Sequence, residues 1–203
     1  VQTCALPISQ ITDLPQPPSA QRIMRPEKVI WDGAKLFVVD HSRILIWNSL
    51  PTRSFQPADV VVGQDTFDSE KFLYSPASTH EVNDRSMNFI GGVFSDGTKL
   101  YVSDIYNNRV LIWNKIPTTN GASADIVLGQ ADMMSKSNNY LTRPGPLAAV
   151  EGALLVASMD SGKLFKFDKI PETSNTLASV IWNGLLPSYA GLSADLGLNA
   201  DLM

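Results

Sequence analysis

Apolar residues in this chain come in short runs, and none of the runs has a helical period. Val110 to Trp113 and Ile44 to Trp47 are apolar at every position. A strand without polar alternation is buried on both faces, as when sheets stack face to face. Gly, Pro, Asn and Asp punctuate the runs, which predicts strands joined by tight turns.

The pattern repeats. Residues 31–64 read "WDGAKLFVVDHSRILIWNSLPTRSFQPADVVVGQ" and residues 95–130 read "SDGTKLYVSDIYNNRVLIWNKIPTTNGASADIVLGQ". A worn third copy, residues 150–184, reads "VEGALLVASMDSGKLFKFDKIPETSNTLASVIWNG". Pro51 to Gly63, Pro117 to Gly129 and Pro171 to Asn183 each span 12 residues. Every copy predicts four strands. A weak first strand ends at an Asp-Gly or Glu-Gly turn, a second and third form a tight hairpin, and a Pro-containing loop leads to a short fourth. Repeated four-stranded antiparallel units buried on both faces describe the blades of a β-propeller. The expected fold is therefore all-β: a partial β-propeller of three blades from a larger ring.

The boundaries follow from the copies. Residues 9–27 read as a connector from an absent blade, 28–64 as blade 1 and 65–89 as an inter-blade insertion. Residues 90–130 read as blade 2, 131–146 as a connector, 147–184 as blade 3, and 185–203 as a connector toward another absent blade. Residues 1–8, "VQTCALPI", are the translation of a common sequencing-adapter tail and are set aside as a non-native scar. On that reading Cys4, the one cysteine, is not native, and redox arguments lapse. An open arc leaves two faces bare. Roughly 500 Å² of apolar surface on each, at about 25 cal/mol/Å², forfeits on the order of 12 kcal/mol per face. The remaining blades of the parent chain are therefore expected to be required, and the fragment alone is expected to aggregate or oligomerise.

Charge narrows the function classes. With 16 Lys and Arg against 20 Asp and Glu, the formal charge is -4, so no global basic field draws nucleic acid or an anionic membrane. No apolar run reaches the ~18 residues of a spanning helix.

The stretch "KLYVSDIYNNRVLIWN" resembles the NHL-repeat family, whose pattern is an apolar pair, Asp, an Asn-rich turn, Arg and an apolar strand. The "IPTTNGASADIVLGQ" extension is similar to a subgroup found in large, mostly uncharacterised bacterial proteins. The resemblance covers about Pro26 to Gly184 and implies a propeller. It leaves function open, since the family hosts RNA binders, protein-interaction modules and an amidating lyase. It also implies a bacterial protein that is extracytoplasmic or at the cell surface. The first copy departs by shortening its turn to His41-Ser42, and the third carries Ser158 and Lys163 in place of Asp and Arg.

Candidate residues divide by what recurs. Asp40 with Arg43, and Asp104 with Arg109, flank the same turn in two copies. They read as structural turn residues, the Asp accepting turn N–H groups and the Arg pairing with a carboxylate or carbonyl. Asn107 and Asn108 read as turn formers, and Ile105 as packing. Tyr106 at the tip has no structural reason to be there and is a candidate contact residue. Trp47, Trp113 and Phe167 recur in register and read as inter-blade core, whereas Trp31 and Trp182 do not recur and read as rim. His41 lies in a turn, and His80 sits beside Glu81 and Asp84 in a solvated loop. No second His or Cys completes a metal set there, and no cofactor is expected.

No Gly-x-Ser-x-Gly elbow, phosphate loop, zinc-protease motif or dinucleotide fingerprint is present. The leading reading is a non-catalytic scaffold that binds a protein, peptide or glycan on its rim, with Tyr106, Asn107, His41, Phe67, Phe72 and Tyr74 as the candidate rim. The last three belong to the 65–89 insertion. The alternative is a propeller enzyme, a lyase or lactonase-like hydrolase, with an axial metal supplied partly by missing blades. RNA binding is a third reading, opposed by the acidic balance.

Overall fold

The computed structural model describes residues 17–69, 81–138 and 140–183, all of them strand, turn or irregular. None of the described segments is a helix long and apolar enough to cross a membrane. The first sheet comprises β1 (Pro26–Trp31), β2 (Leu36–Asp40), β3 (Arg43–Trp47) and β4 (Val60–Val62). The second comprises β5 (Ile90–Ser95), β6 (Leu100–Asp104), β7 (Arg109–Trp113) and β8 (Ile126–Leu128). The third comprises β9 (Pro144–Val150), β10 (Ala153–Ser158), β11 (Lys163–Phe167) and β12 (Ser179–Asn183). Each is a four-stranded antiparallel meander in sequence order.

Strand parity explains why every residue of β3 and β7 is apolar or paired. Phe37, Val39, Ile44, Ile46, Val60 and Val62 form the front face of the first sheet. They share one core with Leu100, Val102, Leu111, Trp113 and Val127 on the rear of the second. One residue along, Tyr101, Val110, Ile112, Ile126 and Leu128 form the front of the second sheet and meet Leu154, Val156, Phe165 and Phe167 of the third. Successive side chains point to opposite faces, so an unbroken apolar run serves two interfaces at once. Trp47 lies with Val38, Leu45 and Val61 on the rear of the first sheet, where Phe67 packs on them.

Two strand boundaries differ from expectation. β1 starts at Pro26 and β9 at Pro144, inside stretches that read as connectors. Both open with proline, which the first position of a strand tolerates. A register shift follows in each sheet, between Pro26 and Lys28, Ile90 and Gly92, and Pro144 and Leu147 opposite Ser158 and Val156. The bulge breaks the period that would have revealed the strand.

The first strands crowd together. A Cβ on Gly92 would lie 2.6 Å from Gly145 O, and one on Gly91 would lie 2.6 Å from Pro144 O. Lys28 Nζ donates to Gly91 O at 2.6 Å, joining β1 to β5.

Turns between the first and second strands are held by aspartate. Asp96 Oδ1 accepts from Thr98 N and Lys99 N, and Asp32 Oδ1 accepts from Ala34 N and Lys35 N. Burial pushes the Asp96 carboxyl up, but these N–H groups, the Tyr101 hydroxyl at 2.8 Å and the Lys99 charge outweigh it and hold it below 3.8. A depressed folded value stabilises above the unfolded pKa and is lost as pH falls through the folded one. Asp96→Asn keeps the turn acceptor and removes the charge. Its urea midpoint is expected to fall below wild type at neutral pH and to converge with it as the pH falls through the folded carboxyl's depressed range. An unchanging gap would refute this assignment.

The outer edges are closed by loops from the following sheet. Val61 N donates to Asn120 Oδ1 and Gly121 N donates to Val61 O, both at 3.0 Å. One sheet further, Val127 N donates to Ser174 Oγ at 3.0 Å and Asn175 N to Val127 O at 3.3 Å. Each unsatisfied pair in the middle of a fourth strand is thus capped by a polar residue and a left-handed one, Gly121 (φ 61°) or Asn175 (φ 63°).

Candidate functional site

Asp40, Arg43, Asp104 and Arg109 are fully buried, so none faces a ligand. Arg109 Nε donates to Asp104 Oδ2 at 2.9 Å, Nη1 to Met133 O at 2.6 Å, and Nη2 to Ser86 O and Asn83 O at 2.7 and 3.0 Å. Asp104 in turn accepts from Asn88 N and from Asn107 Nδ2, both at 2.8 Å. Burial pushes the Asp104 carboxyl up, against the pull of Arg109 and these donors. The first sheet repeats the device. Arg43 donates to Asp40, Phe67 O and Arg22 O, and Asp40 accepts from Met24 N and Arg25 N. The backbone N–H groups belong to the preceding connector, not to the turn as the sequence suggested. Each pair staples the connectors on both sides of its sheet.

In the third sheet Ser158 Oγ donates to Thr142 O at 2.6 Å and accepts from Ser161 Oγ at 2.7 Å. That hydroxyl chain takes the aspartate's place. The third sheet also moves its ion pair outward, to Arg143 and Asp160 at 3.0 Å and about half exposed.

The turns between second and third strands line one end of the three sheets, and along them runs a row of contacts. His41 Nδ1 lies 3.4 Å from Glu27 Oε1, and its ring meets Phe89 edge-on at 5.1 Å. Phe89 meets Tyr106 at 5.6 Å, and the Arg143 guanidinium lies 5.7 Å from the centre of the Tyr106 ring. Phe89 and Arg143 occupy the same place, one residue before β5 and β9, with φ 63° and 45°. Bulky residues rarely adopt that backbone. It is fixed by equivalent bonds: Phe89 N donates to Ser42 Oγ at 3.2 Å and Arg143 N to Asn108 Oδ1 at 2.9 Å.

Of the expected rim residues, Tyr106 is 49% exposed at the centre of this row. Asn107 is buried, bonded to Asp104, so it is a structural residue and not a contact. His41 is buried to 9% exposure, its imidazole taken up by Glu27 and Phe89. Phe67 is half-buried on the rear of the first sheet, and its carbonyl is held by Arg43. Phe72, Tyr74 and His80 lie outside the described residues. Trp113 and Phe167 sit between sheets, while Trp31 and Trp182 are exposed. Sequence reasoning missed Phe89, Arg143 and Asp160. Alignment of the residues before each first strand (Arg25, Phe89, Arg143) was the available signal.

Among the described residues no group of three or more His, Cys, Asp or Glu is placed to hold a metal ion. A cleft of about 330 Å³, lined by Trp113, Lys115, Thr118 and Asp125 among others, opens at the far end of β7 from Tyr106. No protein-family model matches the chain, and no curated protein matches it.

Proposed function

We propose that this chain is a run of propeller blades of NHL-repeat kind that serves as a non-catalytic binding scaffold. The rim around Tyr106 then receives a protein or peptide. The propeller reading is supported by the in-register reuse of one interface between successive sheets and by the crowding of their first strands. The binding reading is carried by Tyr106. It is an exposed aromatic held between Phe89 and the Arg143 guanidinium, on a turn whose other residues, Ile105, Asn107 and Asn108, are buried. Tyr and Arg supply large contact areas and are enriched where interfaces are hottest.

The test is a peptide and glycan array probed with the intact chain and with Tyr106→Ala. Loss of peptide signal by about tenfold or more is expected, because a central interface tyrosine is worth about 2 kcal/mol. The melting temperature should stay within about 2 °C of wild type. Signal indifferent to Tyr106→Ala would overturn the assignment of the rim. Signal confined to glycans would overturn the peptide class.

A further inference from the structure

Two sheet edges are capped alike, but one cap carries chemistry that the other lacks. Asn120 Oδ1 accepts from Val61 N, and Gly121 N donates to Val61 O. At the next edge Ser174 Oγ and Asn175 N do the same for Val127. Each cap is an acceptor side chain followed by a residue with left-handed backbone. The second requirement is strict at position 121. Its φ is 61°, and a Cβ there would lie 3.1 Å from Asp65 Cα and 3.4 Å from Gln64 O. Glycine fits both the angle and the close approach.

The adjacency of that glycine and the capping asparagine has a chemical cost. In an Asn-Gly pair nothing hinders the glycine nitrogen from attacking the preceding side-chain amide. The other cap avoids this pairing. Its asparagine comes second and is followed by Thr176, whose branched side chain shields the next backbone nitrogen.

We propose that Asn120 is a site of self-modification by deamidation, held unreactive by the cap it forms, and that its modification latches the edge of β4 open. The only reagent is water. Gly121 N gives up its proton and bonds to Asn120 Cγ. The Cγ–Nδ2 bond breaks, and ammonia leaves with that proton, closing a five-membered succinimide. Water then opens the ring at one of two bonds. Cleavage between the nitrogen and Cγ gives aspartate. Cleavage between the nitrogen and the main-chain carbonyl carbon gives isoaspartate, in which the chain runs through the former side chain.

The closed cap occupies both reacting groups at once. The Gly121 N–H is donated to Val61 O, and the Asn120 carbonyl is held by Val61 N. Asn120 itself is exposed, so water reaches it as soon as the edge opens. The two products then differ in consequence. Aspartate keeps an oxygen where Oδ1 stood and closes the cap again. Isoaspartate inserts one carbon, about 1.5 Å, into the main chain before Gly121 N. Acceptor and donor no longer match the N–H and C=O of one valine, and the bare edge becomes a template for strand pairing. A transient opening is thereby made irreversible by chemistry.

The test is ageing of the intact chain at mildly alkaline pH, in buffer and in denaturing urea, followed by peptide mass mapping. Asn120 is expected to deamidate in urea and about tenfold or more slowly in buffer, where the reaction waits for local opening. Asn175 should change in neither. Equal rates at Asn120 in the two conditions overturn the shielding, and an unmodified Asn120 in urea overturns the site. The latch is read by hydrogen exchange of the Val61 N–H in isoaspartyl and unmodified chains separated from one aged sample. Protection is expected to be lost in the isoaspartyl chain alone, and equal protection in both overturns the latch. Asn120→Ser, with the acceptor that the next cap uses, should keep Val61 protected throughout the same ageing. Loss at the wild-type pace in that variant would trace the opening to another cause and overturn the latch as well.

Discussion

Arg109→Ala is expected to lower unfolding free energy by about 3–5 kcal/mol, because it strands the Asp104 carboxylate in a buried site without its countercharge. Four further hydrogen-bonding groups lose order with it. Met133 O, Asn83 O and Ser86 O lose their donor, and Asn107 loses the carboxylate orientation it relies on. The third sheet shows how the molecule manages without the pair, using the Ser161–Ser158 hydroxyl chain onto Thr142 O. Asp104→Ser/Arg109→Met, which leaves no unpaired buried charge, should therefore cost clearly less than Arg109→Ala, although it removes two native groups instead of one. Urea midpoints of the two variants decide the matter. Equal losses would mean that the arginine acts only through its volume.

Gly92→Ala is expected to be the other severe substitution. Its Cβ would stand 2.6 Å from Gly145 O and 3.2 Å from Leu147 N and Pro146 Cα, all backbone atoms of the neighbouring first strand. Main chain cannot turn aside as a side chain can, so β5 and β9 must separate, at a cost of about 3 kcal/mol or more. Gly97→Ala is the control. Its Cβ would meet nothing within 4 Å, and only its φ of 83° resists, which costs about 1–2 kcal/mol. A Gly92→Ala variant no less stable than Gly97→Ala would show that the first strands are not in contact.

What the sequence disclosed depended on distance along the chain. Repetition exposed the four strands of each sheet, because apolar runs and Asp-Gly turns are local. The same repetition separated Asp104 and Arg109 from Tyr106, since two copies share the former and not the latter. It could not disclose whose N–H groups the aspartates accept. Asn88 lies 16 residues before Asp104, and nothing in its vicinity marks it as a partner. Asn107 misled for a related reason. Its polar side chain at a hairpin tip also suggested a place on the rim, yet that side chain folds inward onto Asp104 and leaves only Tyr106 of this turn outside. The row from Glu27 to Asp160 joins residues from all three sheets, so it exists only once the sheets are stacked. The bulges after Pro26 and Pro144 hid the first strands by interrupting their period.

The capping of each fourth strand by the following sheet sets a timetable for synthesis. Val61 waits for Asn120, 59 residues downstream, and Val127 waits for Ser174, 47 residues downstream. A ribosome adding about 5–20 residues per second leaves the edge of the first sheet open for about 3–12 s after Val61 has been made. During that interval a nascent chain exposes a ready-made strand edge to its neighbours on the same message. The protein is thus most vulnerable to misassembly when translated densely, and slower initiation, which spaces ribosomes apart, should raise the soluble yield.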